Sequence, residues 1–308
     1  MDQRRELTRL YDALARWRWW ARRLRGAPAG EGLAMHKRLL PVAAGADRPD
    51  AGGLEPWLLQ KVAAAPAGPV LDVGCGLGST VFRCARVRAG PLHGVTTSAY
   101  AVKKAREEAA RLRLADRCTF AQHDYDQPFA GRFALVFAVE ALFHAPDLER
   151  TLRNVAAATQ PGAVLAVCED MVAGAAHPDA EDPDAEDPDA EDPDAEDPDA
   201  DGTDADRSAL REAWATPRLH SPADYRRALA AAGFVVREEI DLTSQVRAAR
   251  PAALARRARR LRAAELLHVP WLRLVARAYR GGIALERLYA RGQMEYRCLL
   301  ATRNGEPA

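Results

Sequence analysis

The sequence predicts an α/β fold, a parallel sheet with helices covering both faces, on three observations. Short apolar runs at 70–73, 91–95, 118–122, 133–139 and 163–168 alternate with stretches of helical length and pattern. The first run, Val70-Leu71-Asp72-Val73, breaks into alternating glycines, Gly74, Gly76 and Gly78, before a helical pattern opens near Ser79. Thr96-Thr97, Asp124 and Glu140 all follow the ends of later runs, where ligands of such sheets sit.

The glycine turn is the most informative stretch. Glycines let the backbone turn with no side chain between it and a ligand. The helix starting near Ser79 aims free N–H groups and its positive dipole end at the same point. A nucleotide-like ligand suits it. A dinucleotide fingerprint spaces its glycines G-x-G-x-x-G, with an acidic residue about 20 positions on. Here the third glycine comes one residue early, and the second run ends Gly94-Val95-Thr96-Thr97-Ser98 without a carboxylate.

The 308 residues allow one large domain with elaborations, or two small ones, and 48% hydrophobic with 28% charged residues is a core-forming composition. The formal net charge of +1 hides a division. Residues 179–206 hold 16 Asp and Glu and no Lys or Arg; the rest has 44 basic against 27 acidic residues, a net of +17. Five scattered cysteines (75, 84, 118, 168, 298) form no C-x-x-C pair, which suggests neither a disulfide framework nor a zinc site. With a charged, unsignal-like start and no bilayer-length apolar run, a reducing cytoplasmic setting is expected.

In chain order, residues 3–25 read as an Arg-rich helix, with Leu7, Leu10, Tyr11, Leu14, Trp17 and Trp20 at helical spacing. Its three readings are a helix packed on the domain, a substrate lid, and an interfacial helix on an anionic membrane. Residues 28–53 read as loop with a short helical piece at Met35–Leu40, and 54–65 as a helix. Helices are expected at 79–88, 98–113 and 147–159. The divisions are 1–53, a helical cap; 54–176, the ligand-binding core; 177–207, an acidic insert; and 208–308, the rest of the core with a helical lid at about 247–291.

The D-x-G-x-G-x-G turn resembles motif I of class I S-adenosyl-L-methionine (SAM) methyltransferases. Gly94-Val95-Thr96-Thr97-Ser98-Ala99-Tyr100 with Val102-Lys103-Lys104-Ala105, and Phe137-Ala138-Val139-Glu140-Ala141-Leu142-Phe143-His144-Ala145-Pro146, resemble stretches of the C-methyltransferases that act on sterol tails. Tocopherol methyltransferases and cyclopropane fatty-acid synthases carry related versions. The resemblance covers about residues 68–172 and lacks a counterpart of the sterol enzymes' aromatic N-terminal signature and C-terminal region. It implies a Rossmann-like seven-stranded methyltransferase sheet, with a helical insertion before the last strand, and SAM as cofactor. It also implies a small apolar, isoprenoid or lipid-like substrate, C-methylation being favoured over O- or N-methylation of a quinone, phenol or other natural product.

On this reading Asp72, Gly74, Cys75, Gly76, Gly78, Thr96, Thr97, Asp124 and Tyr125 bind the cofactor. Asp72 holds the turn or reaches the methionine ammonium, the threonines serve the ribose, and Asp124 accepts from the adenine amino group or is simply a turn aspartate. Glu140 and His144 are the catalytic candidates, placed where the methyl emerges; Tyr100, Phe143 and Trp20 are the substrate candidates, offering π faces to a cation.

From Ala180 to Asp199 the pentapeptide Ala-Glu-Asp-Pro-Asp repeats four times, with dense like charge and no large apolar residue, which predicts an expanded loop. Folding resumes near Ser208, with a Ser221-Pro222 helix start, strands at 234–242 and 295–302, and between them an Arg-rich helical stretch: Arg247, Arg250, Arg256, Arg257, Arg259, Arg260 and Arg262. Their candidate partners are a substrate phosphate, a membrane surface or the acidic insert. Two other function classes compete. A nucleic-acid methylase is opposed by the acidic insert, and no nucleic-acid partner or metal is expected. A non-catalytic SAM-binding scaffold is opposed only by the intact glycine turn.

Overall fold

The computed structural model describes residues 3–42, 47–174, 200–246, 251–266 and 269–305. The elements in order are α1 (Gln3–Leu24), α2 (Leu54–Lys61), β1 (Val70–Val73), α3 (Ser79–Val87), β2 (Leu92–Thr96), α4 (Ala99–Arg111), β3 (Cys118–Gln122) and β4 (Phe133–Val139). There follow α5 (Leu148–Ala157), β5 (Thr159–Val172), α6 (Ala200–Ala213), α7 (Pro222–Ala231), β6 (Phe234–Asp241), α8 (Pro251–Leu266), α9 (Pro270–Ala290) and β7 (Met294–Arg303).

The seven strands form one sheet in the order β3-β2-β1-β4-β5-β7-β6, parallel through β5, with β7 antiparallel to both neighbours. Alternate residues of each strand serve opposite faces. Val70, Leu135 and Phe137 join Trp57, Leu58, Phe82 and Phe120 on one side; Leu71, Val136 and Leu165 join Leu152, Tyr225 and Leu229 on the other. β1 pairs with β2 and β4, so the winding reverses there and opens a crevice at the end of β1, where the glycine turn lies.

Four expectations change. Met35–Leu40 is irregular rather than helical: Leu39 bridges Val246, and Leu40 N–H donates to the Gln245 carbonyl at 2.7 Å. α2 stops at Lys61 instead of 65. β5 begins at Thr159 and runs on through Glu169 and Asp170 to Val172, because β7 supplies it with a continuous antiparallel partner from Val164 to Val172. α6 starts at Ala200, inside the expected acidic insert, and its buried Asp206 pairs with Arg287 and Arg291 at 3.1 and 2.9 Å. The rest of the insert, Arg247 and Arg250 lie outside the described residues, as do the side chains of Arg260 and Arg262.

α1 is anchored at both ends. Arg4 pairs with Asp124 and Asp126 at 3.2 and 2.7 Å. Near the other end, Arg22 reaches the fully buried Glu108 of α4 at 2.7 Å and donates to the Pro28 and Glu31 carbonyls. Asp12 accepts from Ser98 Oγ and Tyr100 N–H, docking α1 on the start of α4.

Candidate active site

A cavity of about 350 Å³ opens over the strand ends, a volume suited to a small-molecule ligand. Gly74 and Gly76 form its floor with Val95, Thr96 and Thr97 from the end of β2. Leu7, Leu10, Tyr11, Leu14, Trp17 and Arg18 of α1 form one wall; Ala278, Tyr279, Gly282 and Glu286 of α9 with Arg257 of α8 form another. The two helical segments thus border the same cavity.

The floor is built by backbone shape. Gly74 and Gly76 have φ of 81° and 51°, in the left-handed region that favours glycine. A Cβ on Gly74 would come within 2.4 Å of the Ala141 Cβ, and one on Gly76 within 2.9 Å of the Met35 sulfur. Gly78 and Cys75 do not line the cavity. A Cβ on Gly78 would meet Phe82 and Phe120, each at 2.9 Å, so Gly78 serves the fit of α3 to the sheet. Cys75 is buried beneath the turn. Asp72 also lies below it, 3% exposed, with Oδ2 unpartnered, and burial pushes its carboxyl up to about 8.

Of the remaining cofactor candidates, Thr96, Thr97 and Tyr125 line the cavity. Asp124 lines a second hollow, which shares Leu7, Thr97, His123, Tyr125 and His144 with the first. Its Oδ1 accepts from Asp126 N–H at 3.0 Å and its Oδ2 holds Arg4, so it is a turn aspartate as well as a wall of that hollow.

Glu140 and His144 both reach the cavity. Glu140 has a φ of 48° and accepts from Lys37 N–H at 3.0 Å, with the Lys37 ammonium 3.3 Å away. Burial alone would raise its carboxyl, but Lys37 and His36 outweigh that and bring it below the usual range. His144 Nε2 lies 2.5 Å from the Tyr11 hydroxyl, while burial pushes the imidazole down to about 4. Phe143 and Trp214 pack their rings on it. Phe143 lines the cavity as expected; Tyr100 and Trp20 do not. Tyr100 is held in the α1–α4 seam under the Arg16 guanidinium, 4.9 Å from its ring centre. The α1 stripe continues to Trp20 in sequence, but the cavity ends at Arg18, leaving Trp20 53% exposed. Trp17 takes its place.

Sequence reasoning missed a polar group at the rim of β5. Glu169 Oε2 accepts from three successive N–H groups, those of Ala141, Leu142 and Phe143, at 3.0, 2.8 and 3.1 Å. This carboxyl, raised by burial and by Asp170 and Glu140, thereby fixes the loop that carries Glu140 and His144. Asp170 accepts from the Lys37 ammonium and the Tyr289 hydroxyl, each at 2.5 Å. Adjacent carboxylates ending a strand were a usable signal, hidden by ending β5 too early. Lys37 and His36 come from a Gly/Pro-rich stretch and gave none. Tyr11 stood in the sequence only as one member of an apolar stripe.

Among the described residues no group of three or more His, Cys, Asp or Glu is placed to hold a metal, and no helix is long and apolar enough to cross a membrane. All five cysteines are free and buried.

Residues 65–189 match a family model described as a methyltransferase domain. A curated relative, sterol methyltransferase-like 1 of Botryococcus braunii, is 38% identical over 106 residues, which is 34% of this chain and 27% of that protein. The match therefore spans about a quarter of that relative's length. Solved structures with the same fold include the [4+2]-cyclase SpnF, with a TM-score of 0.66, 20% identity and coverage of 97% of this protein and 95% of that one. Another is a geranyl diphosphate C-methyltransferase from Streptomyces coelicolor A3(2), with a TM-score of 0.63, 17% identity and 98% coverage of both proteins.

Proposed function

We propose that this protein, which resembles the class I methyltransferases and matches a methyltransferase-domain model over residues 65–189, transfers a methyl group from SAM to a small apolar, isoprenoid- or lipid-like acceptor, at carbon in preference to oxygen or nitrogen. One observation carries the reading. The glycine floor, Glu140, which Lys37 holds from outside the lining, and the Tyr11–His144 pair share one cavity whose other walls are largely aliphatic and aromatic. Bound SAM supplies an electrophilic methyl on a sulfonium centre.

The residues present fit that cofactor. Gly74 and Gly76 leave room for its backbone, and Asp72 keeps a buried, unpartnered oxygen beneath them to accept from its ammonium, directly or through water. Thr96 and Thr97 offer hydroxyls where a strand-end carboxylate is missing, and Tyr125 and Asp124 line the adjoining hollow.

Methyl transfer needs in-line positioning more than strong acid–base work. The Leu7, Leu10, Leu14 and Trp17 stripe and Phe143 would position an apolar acceptor and exclude water. Methylation of an alkene carbon leaves a cation that must lose a proton. Ionised Glu140 would balance that charge, and neutral His144, relayed through Tyr11, would take the proton. A relative named as sterol methyltransferase-like and a structural neighbour named for geranyl diphosphate C-methylation support the carbon acceptor. The free cysteines support a reducing, cytoplasmic setting.

Calorimetry should show binding of SAM and S-adenosylhomocysteine but not of NAD, and Gly76→Val should abolish it in a folded protein. Metabolite extracts incubated with methyl-labelled SAM, then separated by phase and mass, should yield label in an organic-soluble product. Equal NAD binding, or full SAM affinity in the valine variant, would remove the basis of the reading.

A further inference from the structure

Seven large apolar side chains stand exposed among the described residues, and five of them lie on α1 or at the start and middle of α9: Trp17, Trp20, Leu24, Val269 and Tyr279. Trp17, Trp20 and Leu24 are spaced i, i+3, i+7 and so share one face of α1. Leu24 is 86% exposed. Trp17 Nε1 donates to the Tyr279 hydroxyl at 3.2 Å, joining the two helices where the cavity lining reaches solvent.

The same face is cationic. From Ala13 to Gly30 the sequence has five arginines and no acidic residue. Arg22 is committed to Glu108, whereas Arg16, Arg23 and Arg25 are exposed. Arg18 is held below the usual guanidinium range by burial and by Arg25 and Arg38, a sign of how closely the cations gather. Arg256 and Arg259 of α8 are exposed as well.

A run of arginines uninterrupted by carboxylates, beside an outward Trp–Trp–Leu row, suits a surface that is anionic outside and apolar just beneath. We propose that the second half of α1, with the adjoining face of α9, docks on an anionic lipid bilayer. Trp20 and Leu24 enter the headgroup region, and the cavity edge formed by Trp17 and Tyr279 faces the lipid. The acidic stretch 179–206 could satisfy the arginines, but it contains no large apolar residue and would leave Trp20 and Leu24 uncovered. Docking does not depend on the proposed methyl transfer; delivery of an apolar acceptor from the bilayer to the cavity does.

The test uses the full-length protein with vesicles of phosphatidylcholine alone, or with about one-third phosphatidylglycerol, followed by flotation and by quenching of tryptophan with brominated acyl chains. Binding should require the anionic lipid and weaken with salt. Trp20→Ser with Leu24→Ser should lower partitioning at least ~10-fold, and Arg23→Gln with Arg25→Gln should reduce the dependence on anionic lipid. None of these side chains lines the cavity, so calorimetric SAM binding should be unchanged and report intact folding. Equal binding to neutral vesicles, no binding, or an unaffected serine variant would overturn the proposal. So would a concentration-dependent dimer abolished by the serine changes, which would assign the face to a second copy. Vesicle binding without methyl transfer to any extract would leave docking standing and remove the proposed activity.

Discussion

Burial among the rings of Tyr11, Phe143 and Trp214 pushes His144 from an ordinary 6.5 down to about 4. The unfolded state therefore binds the proton more tightly. His144 contributes full stability above about pH 6.5, and that contribution is lost as the pH falls toward 4, on the order of 3 kcal/mol in all. Asp72, raised to about 8, acts in the opposite sense and loses its stabilisation as the pH rises through 4 to 8. Denaturant titrations from pH 7.5 to 4.5 should show wild type losing more stability than His144→Gln, a comparison in which Asp72 cancels; parallel losses would refute the buried neutral imidazole. For the reaction, Glu140→Gln and His144→Ala should keep SAM affinity but lower turnover roughly 10²-fold. For an alkene acceptor the Glu140 change should also redistribute products. Wild-type turnover and products in both variants would make the pair structural.

Among the elements, α9 offers a controlled pair of neighbouring glycines. A Cβ on Gly281 would lie 2.4 Å from the Trp214 ring, whereas one on Gly282 meets nothing within 4 Å. Gly281→Ala should therefore lower the melting temperature, and Gly282→Ala should raise stability by about 0.5–1 kcal/mol through helix propensity. Because Gly282 faces the cavity, a larger side group there should exclude bulky acceptors before it affects cofactor binding. The α1 anchor is as specific. Arg22→Ala leaves the buried Glu108 with only the exposed Arg111, 3.0 Å away, as its cation and should cost about 1.5–3 kcal/mol in chemical denaturation. A loss under about 1 kcal/mol would mean that α1 is held elsewhere.

At the scale of the whole molecule, the acidic stretch divides where α6 begins. Replacing residues 179–199 by a short Gly/Ser linker should leave melting and SAM affinity unchanged. It should also strengthen retention on a polyanion column at low salt, because a basic body loses nearby counter-charge. Carrying the excision through 206 removes Asp206 from Arg287 and Arg291 and part of the α6 packing on α9, and should lower the melting temperature. Unfolding on the shorter excision would show that the repeat is structural.

What the sequence determined by itself was local. Apolar runs flanked by turns marked β1 and β4 to the residue, since strands buried on both faces admit few polar side chains, and also marked the edge strand β3, which buries only Cys118 and Phe120. The glycine turn was equally legible, because positive φ leaves a chemical trace in residue type. So was the cavity position of Glu140, His144, Thr96, Thr97 and Phe143, which lie at or beyond strand ends. Tertiary structure alone decided what crosses between distant segments. It continued β5 through Glu169 and Asp170 by giving them β7 as partner, and brought Lys37 from an irregular stretch onto Glu140 and Asp170. It set Tyr11 rather than Tyr100 or Trp20 in the cavity, because the docking of α1 on α4 and α9 fixes which face of the helix looks inward. Such choices depend on packing and on charge compensation over more than a hundred residues of separation, and no local pattern encodes them.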